Sequence, residues 1–300
     1  MNNPFYLFLR QKYMLILIPL VLSGCAGISF QRIPVDFVNP ATRLEIVEVD
    51  ATEIEAQGVL LRLKQPEERT VRSTEEMALY VRIQEGLGSR MDFVKNRTDS
   101  YHPGERDDSY ILLSESTFEK QPGKLVEAVE MTERGEVVRF IRGEHESKIG
   151  QFHIESWERT PLFPLGPVKI GDEWNYQETM AVRLKSFWVK QIDPSPYVIE
   201  AKSTLEGFAR VGGVRCAVIR TEALQTKQEQ LKIFFKDITL NIRAHIREWV
   251  YLDYEKGRVL VRVTTIDSQT TSPDLKIHDQ GQSQAVSYLL QMQPQQAANI

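Results

Sequence analysis

The sequence predicts a mainly β protein, with long antiparallel strands in a curled sheet shaped as a half-barrel, a clam or a barrel. The first observation is the alternation of apolar and polar side chains along 236–252, a period of two that is typical of a half-buried strand. The apolar positions are Ile238, Leu240, Ile242, Ala244 and Ile246. The second is length, because segments of twelve to sixteen residues exceed the usual ~5–6. Long strands twist, so a sheet of them curls.

Two long hairpins follow from the turns of the second half. A polar turn at 253–257 is followed by 258–266, which returns as the partner of the alternating strand. The Gly212-Gly213 pair joins 197–211 to 214–224 in the same way.

The alternation changes phase near the end of the first of these strands. Trp249 and Tyr251 fall on the opposite parity from Ile246. A β-bulge at Arg247-Glu248 would account for this change, and we expect one there.

The first half consists of shorter segments rich in Val, Ile, Leu, Tyr and Thr, which predict further strands. They are 44–49, 58–64, 69–84, 110–117, 124–131 and 136–142. Residues 132–137, Thr-Glu-Arg-Gly-Glu-Val, are typical of a hairpin turn.

One segment, 73–88, fits two structures. Ser73 as N-cap with Glu76 closing a capping box allows a helix. However, the seven residues from Glu75 resemble the seven from Glu178, which run into Val-, Phe- and Trp-rich sequence. That internal similarity favours a strand and indicates two related β units.

The amino terminus has the layout of a secretory signal. Arg10 and Lys12 precede the apolar run Tyr13–Leu22, and the small pair Ser23-Gly24 follows it. The run is too short for a stable membrane span, which needs ~20 residues.

The tetrapeptide Leu22-Ser23-Gly24-Cys25 resembles the lipobox of bacterial lipoproteins. The resemblance implies cleavage before Cys25 and a diacylglycerol on its thiol, which anchors the mature chain to a membrane. Ala26 and Gly27, in place of an aspartate after the cysteine, favour the periplasmic face of the outer membrane over the inner membrane. The alternative is an ordinary secretory signal with an incidental cysteine.

Residues 167–174, Pro-Val-Lys-Ile-Gly-Asp-Glu-Trp, resemble a pattern of secreted and lipid-anchored bacterial β-rich domains. The resemblance implies a meander of long strands and supplies no catalytic residue. Trp174 is expected either to plug one end of the sheet or to stack on a ligand. Trp174 and Trp249 are the two candidate ligand-binding residues.

These features divide the chain into six parts. They are a signal peptide at 1–24, a tether at 25–43, a β unit at 44–158, a Pro-rich connector at 159–170, a β meander at 171–272 and a Gln-rich tail at 273–300. Within the tail, 285–292 fits a last strand, a short docking helix or an exposed partner-binding stripe.

Composition argues against one class of function, nucleic-acid binding. Without residues 1–24 the chain has 35 basic and 41 acidic residues, well mixed along the sequence. Nucleic-acid binding needs clustered Lys and Arg, so it is disfavoured.

No familiar catalytic or cofactor motif is present, so the sequence predicts no catalytic residue, metal site or cofactor. His145 and His153 lack a metal-ligand spacing. The loop with Glu105, Asp107 and Asp108 fits a soluble turn better than a calcium site.

Cys216, the other cysteine, shares a strand face with Val214 and Val218. We expect a buried thiol that behaves as a small hydrophobe, with a reactive thiol as the alternative.

The sequence therefore predicts a membrane-anchored, non-enzymatic envelope lipoprotein that binds a lipid or another apolar ligand on a concave sheet. The alternative is an accessory subunit of an envelope protein assembly, and an enzyme of unknown class is the least favoured hypothesis.

Overall fold

The structure, a computed structural model, describes residues 45–66, 69–82, 87–119, 121–146, 152–153, 162–180, 189–193, 197–233 and 236–293. The lipobox, the tether, most of the connector and the end of the tail lie outside these ranges. The elements are β1 Ile46–Val49, α1 Glu53–Gln57, β2 Arg69–Arg82, β3 Leu87–Pro103, β4 Ser109–Phe118, β5 Gln121–Thr132, β6 Val137–Glu146, β7 Phe152–His153, β8 Glu173–Met180, β9 Val189–Asp193, β10 Tyr197–Val211, β11 Val214–Ile233, β12 Lys236–Asp253, β13 Arg258–Ser272 and β14 Ile277–Gln293.

The fourteen strands of the described ranges belong to one antiparallel sheet, which confirms the predicted fold class. The order is β1-β10-β11-β12-β13-β14-β2-β3-β4-β5-β6-β7, with β8 beside β10 and β9 beside β11. Each half is a meander, and the last strand, β14, pairs with β2 to join them. Within the described ranges β1 and β7 have no further strand beside them, so the sheet is open. The division into two related β units stays a prediction.

The alternating segment forms β12 as expected, but the predicted bulge at Arg247-Glu248 is wrong. Every second residue from Ile238 to Leu252 is buried, and pairing with β11 runs through this region without a shift. The parity therefore never changes, and Glu248 is buried on the same face as its apolar neighbours. The register shift lies instead between Tyr251 and Leu252, in the pairing with β13.

The ambiguous segment of the first half is a strand. Residues 73–82 lie in β2, which confirms the favoured interpretation and excludes the helix there. The strand expected at 58–64 is wrong, because only Val59 in that segment makes a bridge, an isolated one to Val168. Unexpectedly, 87–103 forms the long strand β3.

The Gln-rich tail holds a central strand. Residues 277–293 form β14, flanked by β13 on one side and β2 on the other. Ala285 and Val286 are buried, so 285–292 is neither a docking helix nor an exposed stripe.

The predicted turns are confirmed. Gly212 and Gly213 have φ of 55° and 83° and close the β10–β11 hairpin. Positive φ at both central residues is the requirement of a type I′ turn, which glycine meets without strain. Residues 133–136 connect β5 to β6.

The sheet curls so that one face, which we call the inner face, becomes the interior. The largest apolar cluster combines residues from β3, β4 and β5 with residues from β10 to β13, which are distant along the sheet. Inner-face members include Met131 from the first half and Val250 from the second. The opposite, outer face carries a smaller cluster around Val261 and Val263.

Two loops fill this end of the interior. Leu61 and Phe163 are fully buried in the largest cluster. The Lys64 N–H donates to Gly257 O at 3.0 Å in the β12–β13 turn. Gly257 has φ of 63°, and a Cβ there would lie 2.4 Å from the Lys64 nitrogen. Glycine is therefore required for this crossing.

Candidate ligand-binding site

Three arginines reach the inner face where the two meanders meet. Register places Arg72 of β2 directly opposite Arg97 of β3. Arg262 of β13 lies opposite Ser287 of β14, which in turn lies opposite Thr74 of β2. Directly opposed residues share a face, so the three guanidinium groups lie on one side of the sheet.

Two irregularities in the ladder flank these arginines. The first brings Tyr251 opposite Val261 and Leu252 opposite Val259, so Leu260 is the extra residue. As a result Val259 packs in the inner cluster, whereas Val261 packs in the outer one. Arg262 is turned inward by the same bulge, in keeping with the general use of bulges to redirect side chains.

The second irregularity lies in the pairing of β14 with β2. Leu289 pairs with Arg72, and Gln291 with Val71, which leaves one extra residue in β14. A bulged strand bends locally. The two bulges thus bend β13 and β14 near the place where the two meanders meet, which a regular ladder would not do.

The arginines line a cavity of about 70 Å³ between the halves. Its apolar wall is supplied by Leu63, Tyr101, Tyr110, Leu112 and Met131. Such a volume holds a few water molecules or one small ion, because a water needs at least ~10–15 Å³ of this kind of space. It is well below the ~300–1,000 Å³ of drug-sized ligand pockets.

Asp99 is the carboxylate of this cavity. Arg97 binds it with two hydrogen bonds, Nε to Oδ1 at 2.7 Å and Nη2 to Oδ2 at 2.9 Å. The Ser114 hydroxyl donates to Oδ1 at 2.7 Å. The Nε of Arg72 lies 3.8 Å from Oδ2, beyond hydrogen-bond distance. The Asp99 carboxylate is therefore held mainly by Arg97.

Electrostatics at Arg72 reflect this crowding. Burial lowers the pKa of its guanidinium, Tyr101 and Asp99 raise it, and the like charges of Arg97 and Arg262 lower it further. Burial has the opposite effect on the tyrosines and raises the pKa of the Tyr101 and Tyr110 hydroxyls. Both phenols therefore stay neutral, and the charge of the cavity comes from the arginines and Asp99.

A buried polar row crosses the inner face beside the cavity. It consists of Ser203, Thr221, Glu248 and Thr264, which are opposed in successive strands. The Ser203 and Thr221 hydroxyls lie 2.7 Å apart. Thr264 donates to Glu248 Oε2 at 3.3 Å, and Arg262 Nε lies 3.7 Å from the same oxygen. The row separates the largest apolar cluster from a second one around Ile199 and Ile246.

The two predicted ligand-binding tryptophans do not come together. Trp174 packs against the inner cluster, and its Nε1 donates to Leu162 O at 2.7 Å, in agreement with the plug interpretation. Trp249 packs against the outer cluster. The two therefore lie on opposite faces of the sheet, and ligand binding by either one stays a prediction.

Cys216 is fully buried, as predicted. It belongs to the outer cluster, and its thiol donates to Val214 O at 3.6 Å. Burial raises the pKa of the thiol to about 12. The thiolate is the reactive form of cysteine, so this side chain is inert at neutral pH.

The acidic loop after β3 is held by ion pairs. Glu105 binds Arg139 at 2.5 Å, and Asp108 binds Arg106 at 2.8 Å. Buried Glu130 of β5 accepts from the Glu105 N–H at 2.7 Å, which fastens the loop to the sheet. In the ranges that the structure describes, no group of three or more His, Cys, Asp or Glu side chains could hold a metal ion.

A partly buried ion pair fixes α1 to the second half of the sheet. Arg215 donates to Glu55 through Nε at 2.5 Å and Nη2 at 2.6 Å, and the Tyr254 hydroxyl donates at 2.6 Å. Burial raises the pKa of Glu55, but the hydrogen bonds from Arg215, Thr52 and Tyr254 outweigh it and lower the pKa to about 2. Ionised Glu55 therefore stabilises the fold.

We expect the stability contributed by Glu55 to be lost in acid. A folded-state pKa below the unfolded value gives stability that is present above pH ~4.5 and disappears as the pH falls towards 2. The difference in free energy of unfolding between wild type and Glu55→Gln should shrink by about 3 kcal/mol over that window. Urea denaturation at pH 7, 4.5 and 2.5 measures it. Glu53→Gln, on the exposed side of α1, is the matched control, and an equal pH response of both variants would contradict the prediction.

A second, wider volume of about 590 Å³ lies over β8, β10, β11 and β12. Most of its lining side chains, such as Glu200, Glu222 and His245, are exposed residues of the outer face. It is an open depression and not the enclosed apolar cavity that an acyl chain needs.

Fold and site together define an open, curled antiparallel sheet with a cationic cavity on its inner face. No helix among the described residues is long and apolar enough to cross a bilayer. No family model matches the chain, and no curated protein matches it. One solved structure that it resembles is a protein from Bacteroides fragilis, provisionally described as exported and as having a YMCC-like fold. The TM-score is 0.26 with 9% identity, over 79% of this chain and 99% of that one. A likeness at that score supports no conclusion about function.

Proposed function

We propose that the chain is a lipid-anchored protein of the bacterial envelope that binds a lipid or another amphiphile on the inner face of its sheet. The cationic cavity where the two meanders meet is the observation that supports ligand binding. The lipobox at Leu22–Cys25 supports the membrane anchor and favours the outer membrane. Apolar clusters and a buried polar row share the inner face, which suits a ligand with both kinds of surface.

The chemistry of the cavity favours binding over catalysis. Its polar lining consists mainly of arginines and hydroxyl groups, and neither His nor Cys is among the described lining residues. General acid–base catalysis needs a group that titrates near the working pH. Both oxygens of Asp99 accept hydrogen bonds from Arg97, and arginine holds its proton at any physiological pH. The guanidinium groups position an anion but do not exchange protons with it.

Replacing Cys25 with serine should move the protein from the membrane fraction to the soluble fraction. Without the thiol no diacylglycerol is attached, and two or three acyl chains at ~0.8 kcal/mol per methylene are what hold a lipoprotein on a bilayer. Fractionation after an alkaline carbonate wash measures this. Cys216→Ser is the matched control, because that buried thiol should leave the protein membrane-bound. A Cys25→Ser variant that stays with the membranes would refute the anchor.

Native mass spectrometry of the detergent-purified protein tests the ligand. A bound lipid that survives transfer into the gas phase supports the proposal, and a protein that carries no lipid in every preparation contradicts the carrier function.

A second candidate function is that of an accessory subunit of an envelope assembly. It is favoured by exposed apolar side chains near the end of the sheet that the two loops fill, among them Ile54, Leu165 and Ile170. Recovery of a stoichiometric protein partner in place of lipid would select it.

A further inference from the structure

More cations than anions line the inner-face cavity. The charged lining residues are Lys64, Arg72, Arg97, Arg258 and Arg262 against Asp99. Two further carboxylates lie close to these arginines: Asp253 is 3.3 Å from Arg258, and Glu248 is 3.7 Å from Arg262. Together these described side chains comprise five cations and three anions. Cations therefore predominate among these side chains.

Arg72 and Arg97 are in an unusual arrangement for side chains that are only 13% and 11% exposed. Like charges directly opposite one another in adjacent strands destabilise a sheet, and burial removes the water that would screen them. Asp99 relieves this repulsion mainly for Arg97, which it binds through both oxygens. Within the part of the chain that the structure describes, Arg72 donates one hydrogen bond, from Nη2 to Val259 O at 2.5 Å. Arg72 itself lines the cavity, with its Nε 3.8 Å from Asp99 Oδ2.

We infer that Arg72, Arg97 and Arg262 bind the phosphate group of a ligand. The planar fork of a guanidinium matches the oxygens of phosphate in bidentate geometry. The apolar wall with Tyr101 and Tyr110 lowers the local dielectric and strengthens each charged hydrogen bond. A cavity of about 70 Å³ admits one such group but no acyl chain.

This inference deepens the proposed function, because it identifies the part of the ligand that the inner face recognises. It rests on the proposal that a ligand binds to the inner face, and it is independent of the lipid anchor. The phosphate belongs either to the head group of a phospholipid or to a free ion. In both cases the recognised chemistry is the same, and the two sources differ only in what lies outside the cavity.

The test is isothermal titration of the full-length protein in non-ionic detergent with inorganic phosphate, at constant ionic strength. We expect saturable binding with one phosphate per chain. Arg72→Gln should weaken it by about ten- to one-hundred-fold, the usual effect of losing a charged hydrogen-bond pair. Arg243→Gln is the control, since Arg243 is exposed on the outer face of β12. It should bind phosphate as the wild type does.

Titration with dihexanoyl phosphatidate separates the two sources. Binding more than tenfold tighter than that of phosphate assigns the site to a lipid head group, and equal affinity assigns it to the free anion. Where Arg72→Gln does not fold, Arg72→Lys keeps the charge but loses the fork, and it should still weaken binding. The inference is overturned when neither ligand gives saturable binding to wild type, or when a folded Arg72 variant binds phosphate as tightly as wild type.

The outcome is distinguishable from that of the proposed function. A soluble protein that binds phosphate through Arg72 would refute the anchor and keep the site. A membrane-bound protein that co-purifies with lipid but is insensitive to Arg72 would keep the proposed function and refute the phosphate site.

Discussion

Replacing Phe163 with alanine should lower the free energy of unfolding by about 3–5 kcal/mol, the usual cost of truncating a buried aromatic side chain. Phe163 is fully buried in the cluster that combines strands from both meanders. Its N–H donates to Arg134 O at 2.8 Å, and its carbonyl accepts from Arg134 Nε at 2.9 Å. The backbone of Phe163 is thus fixed against the β5–β6 turn. Truncation leaves a void that the surrounding strands cannot readily fill.

Urea denaturation followed by circular dichroism measures this effect as a lower midpoint with an unchanged m-value. Leu165→Ala is the matched control, because Leu165 belongs to the same loop but is 74% exposed. We expect the control to change stability by less than about 0.5 kcal/mol. A loss below about 1 kcal/mol for Phe163→Ala would show that the loop does not close this end of the sheet.

The strands that could be predicted from the sequence are those whose inner face is apolar. β12 alternates between Ile, Leu or Ala and polar residues over most of its length, so its period is plain in the sequence. β3 has no such pattern, because two of its inner-face positions are Arg97 and Asp99. In β14, glutamines alternate with Gly281 and Ser283, which hides a central strand within a polar tail.

The arginine site could not be predicted, for two physical reasons. Arg72, Arg97 and Arg262 come from segments far apart in sequence, and they meet only because β14 pairs with β2. In addition, the alternation of Val259, Val261 and Val263 would place Arg262 outward, and the bulge at Leu260 reverses that parity. The signal that the sequence does hold is an arginine among strand-forming residues in each of three segments.

The turns were predictable because their chemistry is local. Gly212-Gly213 requires no knowledge of the remaining fold, since two consecutive glycines between strands already select a tight hairpin. The bulge of β13 is different, because the apolar Trp249 and Tyr251 of β12 are half-buried residues of the outer face and not a sign of changed parity. The sequence therefore predicts a bulge at Arg247-Glu248 of β12, whereas the extra residue is Leu260 of β13.

Replacing Asp99 with asparagine should lower the free energy of unfolding by about 3–5 kcal/mol, because breaking a buried ion pair on one side leaves its partner uncompensated. The Asp99 side chain is 1% exposed, and the guanidinium groups of Arg97 and Arg72 are 2.7 and 3.8 Å from it. Asparagine keeps the shape and can still accept from Ser114, but it cannot neutralise two arginines. Thermal and urea denaturation measure the loss. Asp108→Asn is the control, because its pair with Arg106 is exposed and worth at most ~1 kcal/mol.

Phosphate should partly restore the stability of Asp99→Asn. If the cavity accepts an oxyanion beside Arg72 and Arg97, phosphate replaces part of the missing negative charge, and a ligand that binds only the folded state raises its stability. The increase in Tm with phosphate at constant ionic strength should therefore be larger for Asp99→Asn than for wild type, and absent from Asp99→Asn combined with Arg72→Gln. Equal phosphate responses in all three proteins would mean that the arginines serve only the fold. The Asp99→Asn variant thus tests both roles of the Asp99 carboxylate, as the counter-ion that stabilises the arginines and as the neighbour of a bound ligand.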